Sequence, residues 1–382
     1  MKIGILTQPL HNNYGGLFQA YALQSTLKKM GHEVWIIDRD YPNTPLWRKC
    51  ASIVKYILLR YIFKTKLNTA FPFWMTNKQR EKISENTSIF TINNIYPKTE
   101  KIKSNNALRK KIKELQFECY VVGSDQVWRP AYSPCITNYF LDFVKTKKNI
   151  CRIAYAASFG VDYWEFTKKQ TKKCAELIKK FDAVSVREDS GLTLSKDFLK
   201  TDTVQVVDPT LLLDKSEYEK LISNNETDNK GNLMVYILDF SADKTEIVNF
   251  VAKNKNYQPF FAMPNSTLTT KTKNNIEECV FQSVPQWIRG FMDAEFVITD
   301  SFHGCIFSII FNKPFIAIGN DKRGMTRFTS LLKTFNLEDR LIFSLEELTL
   351  EKLTCTIDWN KINMIKSEKK EESIQFLFHN IK

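Results

Sequence analysis

The chain of 382 residues is too long for one compact core and reads as two domains. Its composition, 43% hydrophobic and 25% charged, is that of a soluble globular protein. No run approaches the roughly 20 apolar residues of a membrane span, so a membrane-embedded class is excluded. A formal charge of +13 favours anionic partners, whether phosphorylated substrates, acidic membrane surfaces or nucleic acid, without choosing among them.

The opening Met1–Thr7 has the look of a buried strand, not of a signal peptide. Eight cysteines are scattered with no C-x-x-C pair, which argues for reduced thiols in a cytoplasmic protein and against a disulfide framework or a zinc site. His11-Asn12-Asn13-Tyr14-Gly15-Gly16 then leads into an amphipathic helix with Leu17, Ala20, Leu23 and Leu27 near helical spacing. Gly31 closes that helix, and Glu33–Asp38 is the next strand. This βαβ start lacks the full G-x-G-x-x-G fingerprint, so a dinucleotide site is not expected. The glycine pair serves either a tight turn or the close approach of an anion to backbone N–H groups.

Residues 42–117 break the alternation and read as a helical insertion. Within it, Trp47–Lys66 carries six basic residues and no acidic one, interleaved with aromatic and aliphatic residues. Such a helix either lies on an anionic bilayer or covers the sheet with its basic side in water. Strand patterns resume at Cys119–Val122, Arg152–Tyr155, Ala183–Val186 and Val204–Val207, with a lysine-rich helix near 165–180. Each of these strands ends in small, polar or charged residues, and such ends lie along one edge of an open parallel sheet. Together they describe the lip of a cleft.

Ser223–Gly231 is the best linker. Beyond it come a strand at Leu233–Leu238, a helix near 243–254, a strand at Pro259–Met263 and a helix near Pro285–Met292. The organising stretch follows. Phe296–Thr299 reads as a buried strand that breaks into Asp300-Ser301-Phe302-His303-Gly304 and runs at once into an apolar helix. A strand turning straight into a helix aims free backbone N–H groups and the helix dipole at an incoming anion. One of only four histidines sits in this turn. Cys305 lies two residues on, but no further ligand set accompanies it and no metal is expected. Phe315–Ile318 is a further strand, leading to Lys322, Arg323 and Arg327; Arg340–Phe343 is a last short one. The expected division is an N-terminal domain over 1–225, a second over 226–360, and a helix over 361–382 that packs back on the first.

Two such domains enclose a cleft holding His303, the cations Arg187, Arg323, Arg327 and Lys313, and the carboxylates of Asp125 and Asp300. A histidine among arginines suits proton transfer beside a bound polyanion. Asn13-Tyr14-Gly15-Gly16, Val121–Trp128, Ala156-Ala157-Ser158-Phe159-Gly160, Ser185-Val186-Arg187-Glu188, Val207-Asp208-Pro209-Thr210 and Thr299–Gly304 occur in this order over nearly the whole chain. In these motifs the chain resembles the polysaccharide pyruvyltransferases.

The resemblance implies an α/β fold of two Rossmann-like domains facing across a cleft, as in GT-B glycosyltransferases. It also implies transfer of pyruvate from phosphoenolpyruvate to two hydroxyls of a cell-surface glycan as a cyclic ketal. His303 is the expected acid and Arg187 the donor grip, with Asp125 beside them and no cofactor beyond the donor. Tyr14, Gly15, Gly16, Ser124, Gln126, Ser158, Asp300, Ser301, Arg323 and Arg327 are the expected substrate-binding residues. Where many members carry Arg-Leu-His, this chain has Ser301-Phe302-His303, and Arg323 and Arg327 are placed to supply the missing cation. Family acceptors are often lipid-linked, which gives segment 47–66 an anchoring role at the inner face of the membrane. No nucleic-acid motif appears. The alternative is a nucleotide-sugar glycosyltransferase on the same fold, for which Glu346 and Glu347 are the available ribose ligands.

Overall fold

The computed structural model describes residues 1–43, 45–59, 76–144, 149–222, 227–268, 275–320 and 324–381. Arg323, Lys322, residues 60–66 of the basic segment and residues 223–226 of the linker lie outside the described residues. The chain builds two parallel α/β sheets. The first contains β1 (Lys2–Leu6), β2 (Glu33–Ile36), β3 (Cys119–Val122), β4 (Cys151–Ala157), β5 (Ala183–Val186) and β6 (Val204–Gln205), in the order β2-β1-β3-β4-β5-β6. The second contains β7 (Leu233–Tyr236), β8 (Pro259–Phe261), β9 (Phe296–Thr299), β10 (Phe315–Ile318) and β11 (Leu341–Ile342), in the order β11-β10-β9-β7-β8. The strands β1, β3, β7, β9 and β10 are runs of β-branched and other apolar residues. They are almost fully buried because helices cover both faces of each sheet. The fold is GT-B-like.

Each sheet has one point where the chain reverses its direction of winding. In the first it falls between β1 and β3, in the second between β7 and β9. The loops leaving neighbouring strands there diverge to opposite faces of the sheet, and a crevice opens at the strands' carboxyl ends.

The two sheets share one apolar core. Tyr14 and Phe18, on the helix Tyr14–Lys29, stack on Trp287 of the second domain at 5.3 Å each. Phe307 lies 4.9 Å from both Phe18 and Tyr218. Burial of these rings, at roughly 25 cal/mol per Å², welds the domains across the base of the crevice.

The described residues of 42–117 form the helices Leu46–Ile57, Asn77–Ile83, Glu85–Asn94 and Asn105–Leu115. The middle pair reaches the second domain: Asn86 Nδ2 donates to the Phe281 carbonyl at 2.7 Å. The last helix, Trp359–Asn380, lies against the first domain, where Val207 N donates to Ser373 Oγ at 3.1 Å and Lys370 pairs with Asp214 at 2.7 Å.

Candidate active site

The two reversal points face one another, and a cavity of about 370 Å³ lies between them. His11–Tyr14 line it after β1, and Asp125 and Gln126 after β3. Opposite stand Tyr236 and Leu238 from β7, Asp300–His303 from β9, and Arg327 from beyond β10. The volume suits a small, highly functionalised ligand.

Two of the helices that begin at this cavity meet there. Phe302–Ile310 is capped by Ser301, whose Oγ accepts from Gly304 N at 3.4 Å. Tyr14–Lys29 starts at Asn13, whose side chain makes no capping bond. That leaves the first-turn N–H groups and the positive end of the dipole for an anion. The two helix starts are in tight contact. A Cβ added at Gly15 would stand 2.0 Å from His303 Nδ1, so only glycine lets the imidazole lie against the first turn. Gly16 carries no such demand, since its Cβ would meet Asn13 at an ordinary 3.4 Å. At Gly15 the glycine meets a demand that neither a tight turn nor an approaching anion names, room for the His303 ring.

A buried polar hub supports the cavity wall. Arg187, leaving β5, donates through Nη1 to Asp208 Oδ2 at 2.6 Å and through Nη2 to Asp125 Oδ1 at 3.3 Å. Glu188 Oε2 lies 3.9 Å from its Nε. Asp208 also takes Thr210 N and Thr210 Oγ1 on its other oxygen, at 3.0 and 2.7 Å. His303 Nε2 lies 3.7 Å from Asp208 Oδ2, an ion-pair separation. Burial alone would push the Asp208 carboxyl up, but His303 and Arg187 outweigh it and hold the group well below the usual carboxylate range. Arg187, penalised by burial, is raised by Asp208, Asp125 and Glu188.

Arg327 differs. Burial first and Arg187 second pull it down to about 10, against weaker opposition from Asp125 and Glu188. Both guanidinium groups lie over the Phe302 ring, Arg187 at 4.5 Å and Arg327 at 5.6 Å.

Against known proteins, a sequence model described as "Polysaccharide pyruvyl transferase" matches residues 13–322. The chain belongs to the polysaccharide pyruvyl transferase family. No significant match is found among curated proteins. A UDP-N-acetylglucosamine 2-epimerase from Rickettsia bellii is similar in structure, with 11% identity, 99% of this chain and 96% of that chain covered, and a TM-score of 0.50. TarM covers 98% of this chain and 95% of its own at 13% identity, TM-score 0.46. Medicago truncatula UGT71G1, solved with UDP-glucose, covers 100% and 98% at 12% identity, TM-score 0.45. At such identities the likeness concerns fold alone.

Within this pyruvyl transferase family member, the cavity gathers Tyr14, Asp125, Gln126, Asp300, Ser301, His303 and Arg327. Several expected site residues lie elsewhere or have their polar atoms committed to protein partners. Arg187 does not line the large cavity; its guanidinium is committed to carboxylates and borders a separate cavity of about 140 Å³ with Phe302 and Ser373. Ser124 and Ser158 are fully buried, donating to the Ala156 carbonyl at 3.1 Å and to Glu188 Oε1 at 2.8 Å. The Asp300 carboxylate is saturated by Leu238 N, Asp239 N, Lys244 Nζ and Asn320 Nδ2 at 2.6–3.2 Å, so it organises the turn. Tyr14 Oη donates to the Gln282 carbonyl at 3.0 Å. Lys313 does not border the cleft: its Nζ donates to the Met292 carbonyl at 2.9 Å, at the far end of the His303 helix. Glu347 accepts from Phe343 N at 3.0 Å in a local turn, away from the cavity. Cys305 is buried in the core, where burial pushes its thiol up.

Asp208 and Glu188 are the residues that reading the sequence leaves without a role. Glu188 Oε1 collects Ser158 Oγ, Phe159 N and Gly160 N at 2.8–3.1 Å, fixing the loop after β4. Their signal was present: each is a carboxylate within three residues of a strand's carboxyl end.

Proposed function

We propose that the protein transfers pyruvate from phosphoenolpyruvate to two hydroxyls of a glycan, forming a cyclic ketal. The observation that carries this is His303, held between Asp208 and the start of the Tyr14 helix, on a cavity that Arg327 also lines. In the first step the His303 imidazolium gives its proton to the donor's methylene carbon. Positive charge develops at C2, and a sugar hydroxyl adds there, its proton passing back to the now neutral His303. In the second step a neighbouring hydroxyl attacks C2, the C–O bond to phosphate breaks, and inorganic phosphate departs carrying that hydroxyl's proton. One enol phosphate and two hydroxyls become one ketal and one phosphate, with no change of oxidation state. The enol phosphate carries its own activation, so the step asks for no further cofactor.

The donor brings a carboxylate and a phosphate. Arg327 and the N–H groups of the Tyr14 helix supply cationic and dipolar partners for them. Arg187 acts one layer back: it fixes Asp208, which orients His303. His11 and Tyr132 are exposed residues of the lining, where a glycan, free or lipid-linked, would enter.

The test is phosphate release from phosphoenolpyruvate with candidate diol acceptors, alongside calorimetric titration of the donor. His303→Ala is expected to cut turnover by about a thousandfold while the donor Kd stays within about threefold, as for loss of a general acid. Unchanged turnover in that variant, or tight binding of nucleoside diphosphates in place of phosphoenolpyruvate, would overturn the reading.

A further inference from the structure

The Leu46–Ile57 helix stands apart from everything described above. Every described side chain on it is at least partly exposed, including Trp47 at 66%, Val54 at 55% and Ile57 at 46%. On a helix of 3.6 residues per turn, Trp47, Val54 and Ile57 fall on one face, and Arg48 and Lys55 lie about 80–100° round from Trp47, along its border. Its sequence carries no acidic residue, in a chain of net charge +13. Arg48 lies over the Trp47 ring at 5.2 Å, a basic group at the edge of an apolar face.

This helix is tied to the active-site mouth by the short segment before it. Tyr41 Oη donates to the Tyr132 carbonyl at 2.6 Å, and the Tyr41 ring stacks on His11 at 6.3 Å. Both His11 and Tyr132 line the large cavity. The helix begins five residues after Tyr41, so whatever its apolar face touches lies close to the route into the cavity.

We infer that the Leu46–Ile57 helix is a surface anchor for an anionic lipid bilayer, with Trp47, Val54 and Ile57 sunk among the acyl chains and the basic residues at the headgroups. An apolar face bordered by cations and free of carboxylates matches that surface in both polarity and charge. A protein partner would need its own acidic, apolar groove, for which nothing in the molecule calls. The part of the inference that presents a lipid-borne acceptor to the cavity rests on the pyruvyl transfer proposed above; the anchoring itself does not.

Flotation of the full chain with vesicles tests it. Vesicles of phosphatidylcholine with about one-third phosphatidylglycerol should carry the protein up at low salt, and pure phosphatidylcholine vesicles should not. About 0.5 M salt should release most of it. Trp47→Ser with Ile57→Ser should weaken the partition at least about tenfold, and Arg48→Glu with Lys55→Glu should abolish it. Ile89→Ser with Ile92→Ser is the control: these residues are 51% and 67% exposed on a helix without basic residues, and their loss should change nothing. Equal flotation of the Trp47/Ile57 variant, equal binding to neutral vesicles, or sensitivity confined to the control pair would overturn the inference. Vesicle binding needs no donor turnover, so its failure leaves the proposed reaction standing, and the reverse holds too.

Discussion

Two arginines share one aromatic ring and live in opposite electrostatic worlds. Arg187 is enclosed by Asp208, Asp125 and Glu188, and its charge is answered inside the protein. Arg327, over the same Phe302, is buried where Arg187 works against its charge and carboxylates help less, so its pKa falls to about 10. The first arrangement builds a rigid wall. The second puts a buried cation with a lowered pKa on the lining of the cavity.

The largest effect should come from breaking the first arrangement. Arg187→Met leaves Asp208 and Asp125 buried without their cation, and removing one partner of a buried pair costs about 3–5 kcal/mol. Urea unfolding should show that loss as a lower midpoint at unchanged slope. The matching change on the other side, Arg327→Met, should shift stability by less than about 1 kcal/mol yet weaken phosphoenolpyruvate binding about thirtyfold, the worth of a charge-assisted contact. Equal destabilisation by the two variants would mean the contrast is false and both arginines are structural.

A smaller change sharpens the comparison at His303. Gly15→Ala puts a methyl group 2.0 Å from Nδ1 as the ring now stands, so the imidazole must leave its present position between that helix and Asp208. The ring sits beside an open cavity and has somewhere to go. Turnover should therefore fall about tenfold with stability changed by less than about 1 kcal/mol. Gly16→Ala should be silent in both assays. A Gly15→Ala enzyme with full activity would show that the contact with the Tyr14 helix does not position the histidine.

Much of this was legible because of periodicity. The apolar runs of β3, β7, β9 and β10 end abruptly in polar residues, and that pattern is enough to place a cleft at their carboxyl ends. The histidine at a strand-to-helix turn was legible for the same reason. What pattern could not tell was which polar residues face the cavity and which face each other. Ser124 and Ser158 sit at strand ends like Asp125, Gln126 and Asp300, yet they are fully buried and their hydroxyls are bonded to the Ala156 carbonyl and Glu188 Oε1. Side-chain pairings such as Ser158–Glu188 and Ser124–Asp208 join residues 30 and 84 positions apart, and no local signal encodes such partners. Lys313 failed for a geometric reason: it follows the helix whose start forms the site, and so lies a helix length away.

The smallest expected effect concerns acid. Because the native Asp208 carboxyl lies below its value in the unfolded chain, the unfolded state takes up the proton first as pH falls. Its contribution is therefore fully present above about pH 4 and drains away below it, where an unfolded aspartate becomes protonated. Asp208→Asn removes this titration and should flatten the acid limb of the stability curve, by under about 1 kcal/mol between pH 4 and 3, once each curve is referred to its own value at pH 6. The variant starts lower, because Arg187 loses its shortest ion pair at 2.6 Å, so the slope and not the height is the readout. Parallel acid limbs in wild type and variant would show that Arg187 and His303 do not hold the Asp208 proton off. The contrast between Arg187 and Arg327 would then have to rest on Asp125 and Glu188 alone.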